Sequence, residues 1–174
     1  MRNSKNKSGL SQVVSTILLI LLTLAAVAAA ASIITNFVRS GLDNASACKD
    51  VLNQVKLNPD YTCYDLNNNT LIFSILRSDF SMDSLLVAAS GETTSRTFSL
   101  TGTSQTIQGL INYKTKTTGV TFPDKEAGKT YCLSNLSEAP TSLEISPKIS
   151  GVQCSVTDSM KNIPPCSPAL IANC

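Results

Sequence analysis

The six cysteines are the residues of this 174-residue chain best suited to covalent chemistry, because paired thiols oxidise to disulfides in an oxidising compartment. The chain contains no histidine and no CxxC pair, and the wide spacing of its cysteines does not match a zinc site. An even number of cysteines, none of them before residue 48, predicts an exported domain held together by disulfides. They are Cys48, Cys63, Cys132, Cys154, Cys166 and Cys174.

Six cysteines allow fifteen pairings in principle, and their spacing alone does not exclude the others. Among these pairings we predict three bonds between cysteines that are neighbours in the sequence. Cys48–Cys63 would tie the end of a helix to the next loop, Cys132–Cys154 would join two predicted strands, and Cys166–Cys174 would close a terminal loop.

Other motifs with chemical potential are incomplete. Residues 127–130 end like a P-loop but lack its first glycine, and residues 65–70 begin like a calcium loop but lack its glycine and its final glutamate. Asp79 and Asp83 could be paired carboxylates, but the serines around them favour a turn. We therefore predict no catalytic, metal or cofactor site and no enzymatic activity. A net charge of +2 is also too small to predict a nucleic-acid partner.

The N-terminus combines a short basic segment with a long apolar one. Arg2, Lys5 and Lys7 precede residues 8–38, which carry no charge and are rich in Val, Ile, Leu and Ala. As a helix this stretch is about 45 Å long, enough to cross a hydrocarbon core of about 30 Å. The basic residues would keep the N-terminus in the cytoplasm and export the rest of the chain.

Three interpretations of this segment remain open on composition. It could be a secretory signal cleaved within residues 28–32, an uncleaved membrane anchor, or a short basic leader removed just before the apolar run. The third leaves the apolar helix on the mature protein.

Lys7-Ser8-Gly9, followed by Leu10-Ser11-Gln12 and the apolar run from Val13, resembles the N-terminus of archaeal type IV pilins. The resemblance covers about the first forty residues. It implies that a membrane prepilin peptidase removes residues 1–9 after Gly9, so that the mature chain begins at Leu10. Val14 stands where bacterial pilins usually carry glutamate, and the glycine-rich start of archaellins is missing.

The apolar spacing continues past the alanine-rich residues 25–31 and predicts one helix over residues 10–55, kinked or interrupted near Ser40–Gly41. Four hydroxyl residues would bond either across helices or to the preceding turn of their own helix. They are Ser15, Thr16, Ser32 and Thr35.

Residues 56–174 alternate short apolar segments with turn signals and predict an antiparallel, sandwich-like β domain. The predicted strands are 71–76, 84–89, 96–100, 106–113, 119–122, 129–133, 142–145 and 152–156, followed by an irregular tail. The predicted fold class is thus α+β: a long N-terminal hydrophobic helix and a disulfide-linked, β-rich head. Three N-glycosylation sequons lie on the exported side, at Asn44, Asn68 and Asn135.

The resemblance implies a structural function, as a subunit of an archaeal type IV pilus-like filament used for adhesion. The expected partners are copies of the same chain, the prepilin peptidase, the ATP-driven pilus assembly machinery and, before assembly, the cytoplasmic membrane. The alternative is a secreted or membrane-anchored extracellular β domain that does not polymerise.

Overall fold

The computed structural model describes residues 7–49, 51 and 53–174, except for the side chains of residues 7–12, 40 and 42–47. The chain forms two units, Met1–Ala45 and Ser46–Cys174. A long helix is followed by twelve strands, a 3-10 helix and a short C-terminal helix. The elements are α1 (Lys7–Lys49), β1 (Val55–Leu57), the 3-10 helix (Pro59–Tyr61), β2 (Cys63–Asp65), β3 (Thr70–Arg77), β4 (Ser84–Ser90), β5 (Ser95–Thr101), β6 (Gln105–Thr106), β7 (Leu110–Asn112), β8 (Gly119–Val120), β9 (Ala127–Leu133), β10 (Ser142–Ile149), β11 (Val152–Gln153), β12 (Asp158–Lys161) and α2 (Pro168–Ile171).

Two five-stranded antiparallel sheets form the head. In the first sheet the order is β1-β3-β9-β7, with β2 also paired to β3. In the second the order is β11-β10-β4-β5, with β12 also paired to β10. Strands β6 and β8 form a separate small ribbon. The α+β class and the antiparallel head are confirmed.

The core of the head lies between the two sheets. In β4 every second residue is buried, as expected of a strand with one face on the core. Phe73 of β3 stacks on Tyr131 of β9 with ring centroids 5.2 Å apart, and it contacts Phe98 of the second sheet at 6.2 Å. The contact between Phe73 and Phe98 links the two sheets, and burying a side chain such as Phe73 contributes about 1.5–3 kcal/mol.

Strand β3 is buried on both faces because the C-terminal segment covers the outer face of the first sheet. Leu71 and Phe73 face the core, so Ile72 between them points outward, yet Ile72 is fully buried. In the sheet register Ile72 lies between Cys63 and Cys132. The C-terminal segment pairs with β2 at Tyr64 and is bonded to both cysteines.

The predicted helix end at residue 55 is wrong. Helix α1 ends at Lys49, and Val55 and Leu57 pair with β3 and are buried. Asn53 has a φ of 70°, a left-handed conformation that does not continue a helix. The apolar spacing at Val51 and Val55 that suggested a longer helix instead places buried residues in a turn and a strand. The helix is also continuous across Gly41, without the predicted interruption.

Most predicted strands are present, with three differences. The predicted strand 106–113 is divided into β6 and β7, because Gly109 adopts a φ of 73° between them. The prediction missed β2 and β12, which are short and partly polar. The tail, predicted to be irregular, contains helix α2, which starts at Pro168, the position where proline is well tolerated.

All three predicted disulfide pairings are wrong, although all six cysteines are paired. The bonds are Cys48–Cys154, Cys63–Cys166 and Cys132–Cys174, with sequence separations of 106, 103 and 42. Sheet geometry is the physical reason. Cys132 lies in the first sheet while Cys154 follows β11 of the second. Cys63 and Cys132 flank Ile72 in register, about 10 Å apart, and each meets a cysteine of the covering C-terminal segment.

Candidate functional site

The most unusual feature of the molecule is the exposed apolar surface of α1. Within this helix, the 27-residue segment Val13–Arg39 contains an 18-residue window with a mean hydropathy of 2.8 and no buried residue. Large apolar side chains are exposed along its whole length, from Val13 to Val38. A soluble protein does not leave a patch of this size in water, so lipid or other protein must cover it.

Three threonine side chains inside this segment form hydrogen bonds with the helix itself. Thr16, Thr23 and Thr35 donate their hydroxyl hydrogens to backbone carbonyls of the preceding turn, at 2.8–2.9 Å. Thr16 and Thr35 were predicted to bond either across helices or to the preceding turn of their own helix, and in the structure they bond to their own helix. Because these three hydroxyls need no water, they do not prevent the helix from lying in lipid or against other helices.

The apolar surface extends beyond the alanine-rich residues 25–31. Ile33 and Phe37 are 70% and 80% exposed, and both lie after the segment where a secretory signal would be cleaved. The 27 residues span about 40 Å as a helix, longer than a hydrocarbon core of about 30 Å. The segment is thus long and apolar enough to cross a membrane.

The predicted cleavage site lies at the start of α1. The backbone of Gly9 and Leu10 belongs to this helix, which begins at Lys7. Arg2 and Lys5 of the predicted leader lie outside the described residues. Processing after Gly9 stays a prediction.

The Cys48–Cys154 bond joins the last turn of α1 to the residue after β11. The Cα atoms of the two cysteines are 5.5 Å apart. Because Cys48 lies in the same unit as the sheets, the bond fixes the point at which the chain enters the head. In the chain-entropy model, a loop of about 100 residues is worth about 4.7 kcal/mol.

The two sequons of the head occupy different surroundings. Asn68 is exposed in the β2–β3 turn, where its amide donates to the Asp65 carboxylate at 2.7 Å. Asn135 is exposed in the β9–β10 connection with a φ of 62°. The side chain of Asn44 lies outside the described residues. All three stay candidate sites of glycosylation.

The rejected motifs have structural roles. The Asp65 carboxylate accepts hydrogen bonds from Asn67 and Asn68 and thereby shapes a turn. Asp79 forms an exposed ion pair with Lys125 at 2.9 Å, and the hydrogen bond from Lys125 lowers the pKa of this carboxyl. Asp83 accepts a hydrogen bond from the backbone of Gly151 instead. The two aspartates thus have separate partners.

No sequence motif signals the role of Arg77, which is buried at the end of β3. Its guanidinium donates to the carbonyls of Pro123 at 2.9 Å and Phe80 at 2.6 Å, and it lies over the ring of Phe122. Burial lowers the pKa of Arg77, and the nearby Asp124 opposes this shift. Arg77 therefore fixes the connection between β8 and β9.

Comparison of the chain with family models, curated proteins and solved structures finds no match. The arrangement of an N-terminal apolar helix before a disulfide-rich β-sheet domain nevertheless fits a pilin-like layout.

Proposed function

We propose that this protein is a structural subunit of a type IV pilus-like surface filament and polymerises through α1. The observation that carries the proposal is the apolar surface of α1, whose large apolar side chains are exposed from Val13 to Val38 and whose Thr16 and Thr35 hydroxyls bond within the helix. Such a helix is suited to storage in a membrane and to later packing against copies of itself. The disulfide-bonded head would then form the outer surface and serve attachment.

Packing between copies of α1 would exchange lipid contacts for protein contacts of similar polarity. The hydrophobic effect contributes little to that exchange, so close packing must supply the attraction. The alanines of residues 25–31 allow helices to approach closely, as small residues do in membrane helix pairs. Head-to-tail contacts that do not close would produce a helical filament.

The mature N-terminus is the sharpest test. Mass spectrometry of the protein from its native host is expected to find Leu10 as the first residue. A first residue at Ser32 would remove most of the apolar helix and refute the filament. An intact Met1 would favour a permanent membrane anchor that does not polymerise.

Substitution at the cleavage site tests the link between processing and assembly. In Gly9→Val the larger side chain is expected to block the peptidase, leaving full-length precursor in the membrane and no filaments by electron microscopy. Ser8→Ala is the matched control, because it changes a neighbouring residue to another small one. Normal filaments from Gly9→Val would contradict the proposal.

A further inference from the structure

A second candidate site lies on the outer face of the first sheet, beside the part that the C-terminal segment covers. It is a cavity of about 520 Å³, a volume within the range of small-ligand sites, with walls that include Tyr61, Tyr113, Lys114 and Lys129. We call it the outer groove. Its lining residues include two tyrosines, two lysines and the threonines Thr115 and Thr130, and none of them is acidic. The outer groove is therefore aromatic and positively charged.

The loop on one side of the outer groove has an unfavourable backbone. In residues 113–118, which we call the lysine loop, Lys114 has a φ of 65° and Lys116 a φ of 55°. Glycine and asparagine adopt this left-handed conformation most easily, whereas a long side chain adopts it at a cost in free energy. Lys114 and Lys116 both adopt this conformation, with one residue between them, which indicates that the position of their side chains has a functional role.

The lysine loop is held in this conformation from both ends. The Asn112 amide donates to the carbonyl of Gly119 at 2.8 Å and to the hydroxyl of Thr117 at 2.9 Å. The backbone N–H of Lys114 donates to the carbonyl of Asn173, and the Asn173 amide donates to the Tyr113 hydroxyl. Asn173 precedes Cys174, which the disulfide to Cys132 fixes on the sheet.

This bracing has a cost of its own. Asn112 is buried, and its Oδ1 atom has no hydrogen-bond partner among the residues that the structure describes, which is unfavourable for a buried acceptor. The lysine loop thus combines two lysines in the left-handed conformation with a buried, unsatisfied amide oxygen at Asn112, the residue before it. Local costs of this kind concentrate at binding sites, where a preformed geometry is useful.

We propose that the outer groove binds an acidic polysaccharide, such as a polymer of uronic acids. The tyrosine rings offer flat apolar surfaces for sugar rings, the threonine hydroxyls can bond to sugar hydroxyls, and the lysines attract the carboxylates. Lys129 contributes to the wall of the groove, while its ammonium donates to the Thr121 hydroxyl at 2.7 Å. The few cations suit a polymer with one charge per sugar better than duplex DNA, which carries one charge per about 1.7 Å.

Binding is tested with the full-length chain in detergent micelles and polygalacturonate as the probe, measured by isothermal titration calorimetry. Lys114→Glu/Lys116→Glu is expected to weaken binding at least about tenfold, since it reverses the charge of Lys114, which lines the outer groove, and of Lys116 in the same loop. The matched control is Lys148→Glu/Lys161→Glu, which makes the same charge change on the second sheet and is expected to leave binding unchanged. Circular dichroism verifies that both variants are folded.

The aromatic wall is tested separately at Tyr61, which is 47% exposed and belongs to the 3-10 helix. Tyr61→Ala is expected to weaken binding several-fold, whereas Tyr61→Phe keeps the ring and should bind almost as well as wild type. Loss of binding in Tyr61→Phe equal to that in Tyr61→Ala would overturn the role of the ring.

Three results would overturn the proposal: no binding of polygalacturonate, equal weakening by the control pair, or equal binding of neutral dextran. Equally tight binding of oligothymidylate would show a general anion-binding surface instead and would also overturn it. The experiment uses unassembled chains, so its failure is distinguishable from a failure of the filament proposal.

Discussion

The disulfide pattern predicts that the head extends very little when it is pulled between the end of α1 and the C-terminus. Because Cys48 is bonded to Cys154, the covalent path bypasses a sequence separation of 106 residues. The remaining path from Cys154 to Cys174 has about 20 residues and a maximum length of about 70 Å at about 3.5 Å per residue. A filament subunit with this connection would keep its head short under tension.

Reduction of the disulfides is the perturbation that reveals this protection. The reduced head should release the segment closed by Cys48–Cys154 and lengthen by about 370 Å relative to the oxidised head. The end-to-end distance of the folded head does not affect this value, because it is subtracted equally from the reduced and the oxidised length. The sequence-local pairing predicted above would instead leave a path of about 81 residues, or about 280 Å, in the oxidised protein.

The pattern is also redundant. If Cys48–Cys154 is removed by Cys48→Ala/Cys154→Ala, the path passes through Cys63–Cys166 and has about 23 residues, or about 80 Å. Removing both of these bonds leaves only Cys132–Cys174 and lengthens the path to about 84 residues, or about 290 Å. Either of the two long-range bonds is therefore enough to protect the head.

Single-molecule force spectroscopy measures these lengths directly. The full chain is held by handles at its N-terminus and after Cys174, with and without a reducing agent, so that α1 contributes equally to every trace. An oxidised head that lengthens as far as the reduced one would refute the reasoning. So would a release of more than about 100 Å on removal of Cys48–Cys154 alone, because a second bond should retain the path.

Three further predictions concern the stability of the head. Arg77→Met should destabilise it by about 2–4 kcal/mol in urea unfolding, because two carbonyl acceptors lose a buried donor, while a loss below about 1 kcal/mol would contradict this role. The side-chain and backbone hydrogen bonds from Thr94, with those from Thr93, lower the pKa of Glu138 to about 2. The ionised carboxylate therefore stabilises the folded head above the unfolded pKa of 4.5, and this stabilisation is lost as the pH falls from 4.5 toward 2. Acid titration should accordingly show a smaller loss of stability in that window for Glu138→Gln than for wild type, and identical curves would exclude the carboxylate as a cause. Phe73→Ala should cost about 3–5 kcal/mol, measured by the same unfolding, since the ring is fully buried between the sheets, and a cost near that of an exposed residue would contradict its position in the core.

The secondary structure was largely predictable because it rests on local patterns. Strand β4 alternates buried and partly exposed residues, and the sequence shows that period directly. The same reasoning gave a wrong prediction for residues 51–57, since apolar spacing over so few residues fits a helix as well as a turn and a strand. Pairing with β3 decided between them.

The candidate sites were predictable to different degrees. The apolar helix is visible in composition, because an uncharged run of this length has few soluble alternatives. The outer groove has no sequence motif: Tyr61, Lys114 and Lys129 come from separate segments and meet only through the sheet. The backbone strain at Lys114 and Lys116 likewise depends on bonds to Asn112 and Asn173.

Composition and short-range pattern by themselves determined that the chain has an apolar helix, a β-rich domain and six cysteines suited to oxidation. These properties are local, since each follows from neighbouring residues and their contact with water or lipid. Which cysteines bond was decided only by the tertiary structure, because a disulfide needs two Cα atoms within about 7 Å and sheet register sets that distance. Thus Cys63 and Cys132 bond to the C-terminal segment that crosses Ile72, and not to the cysteines nearest in sequence.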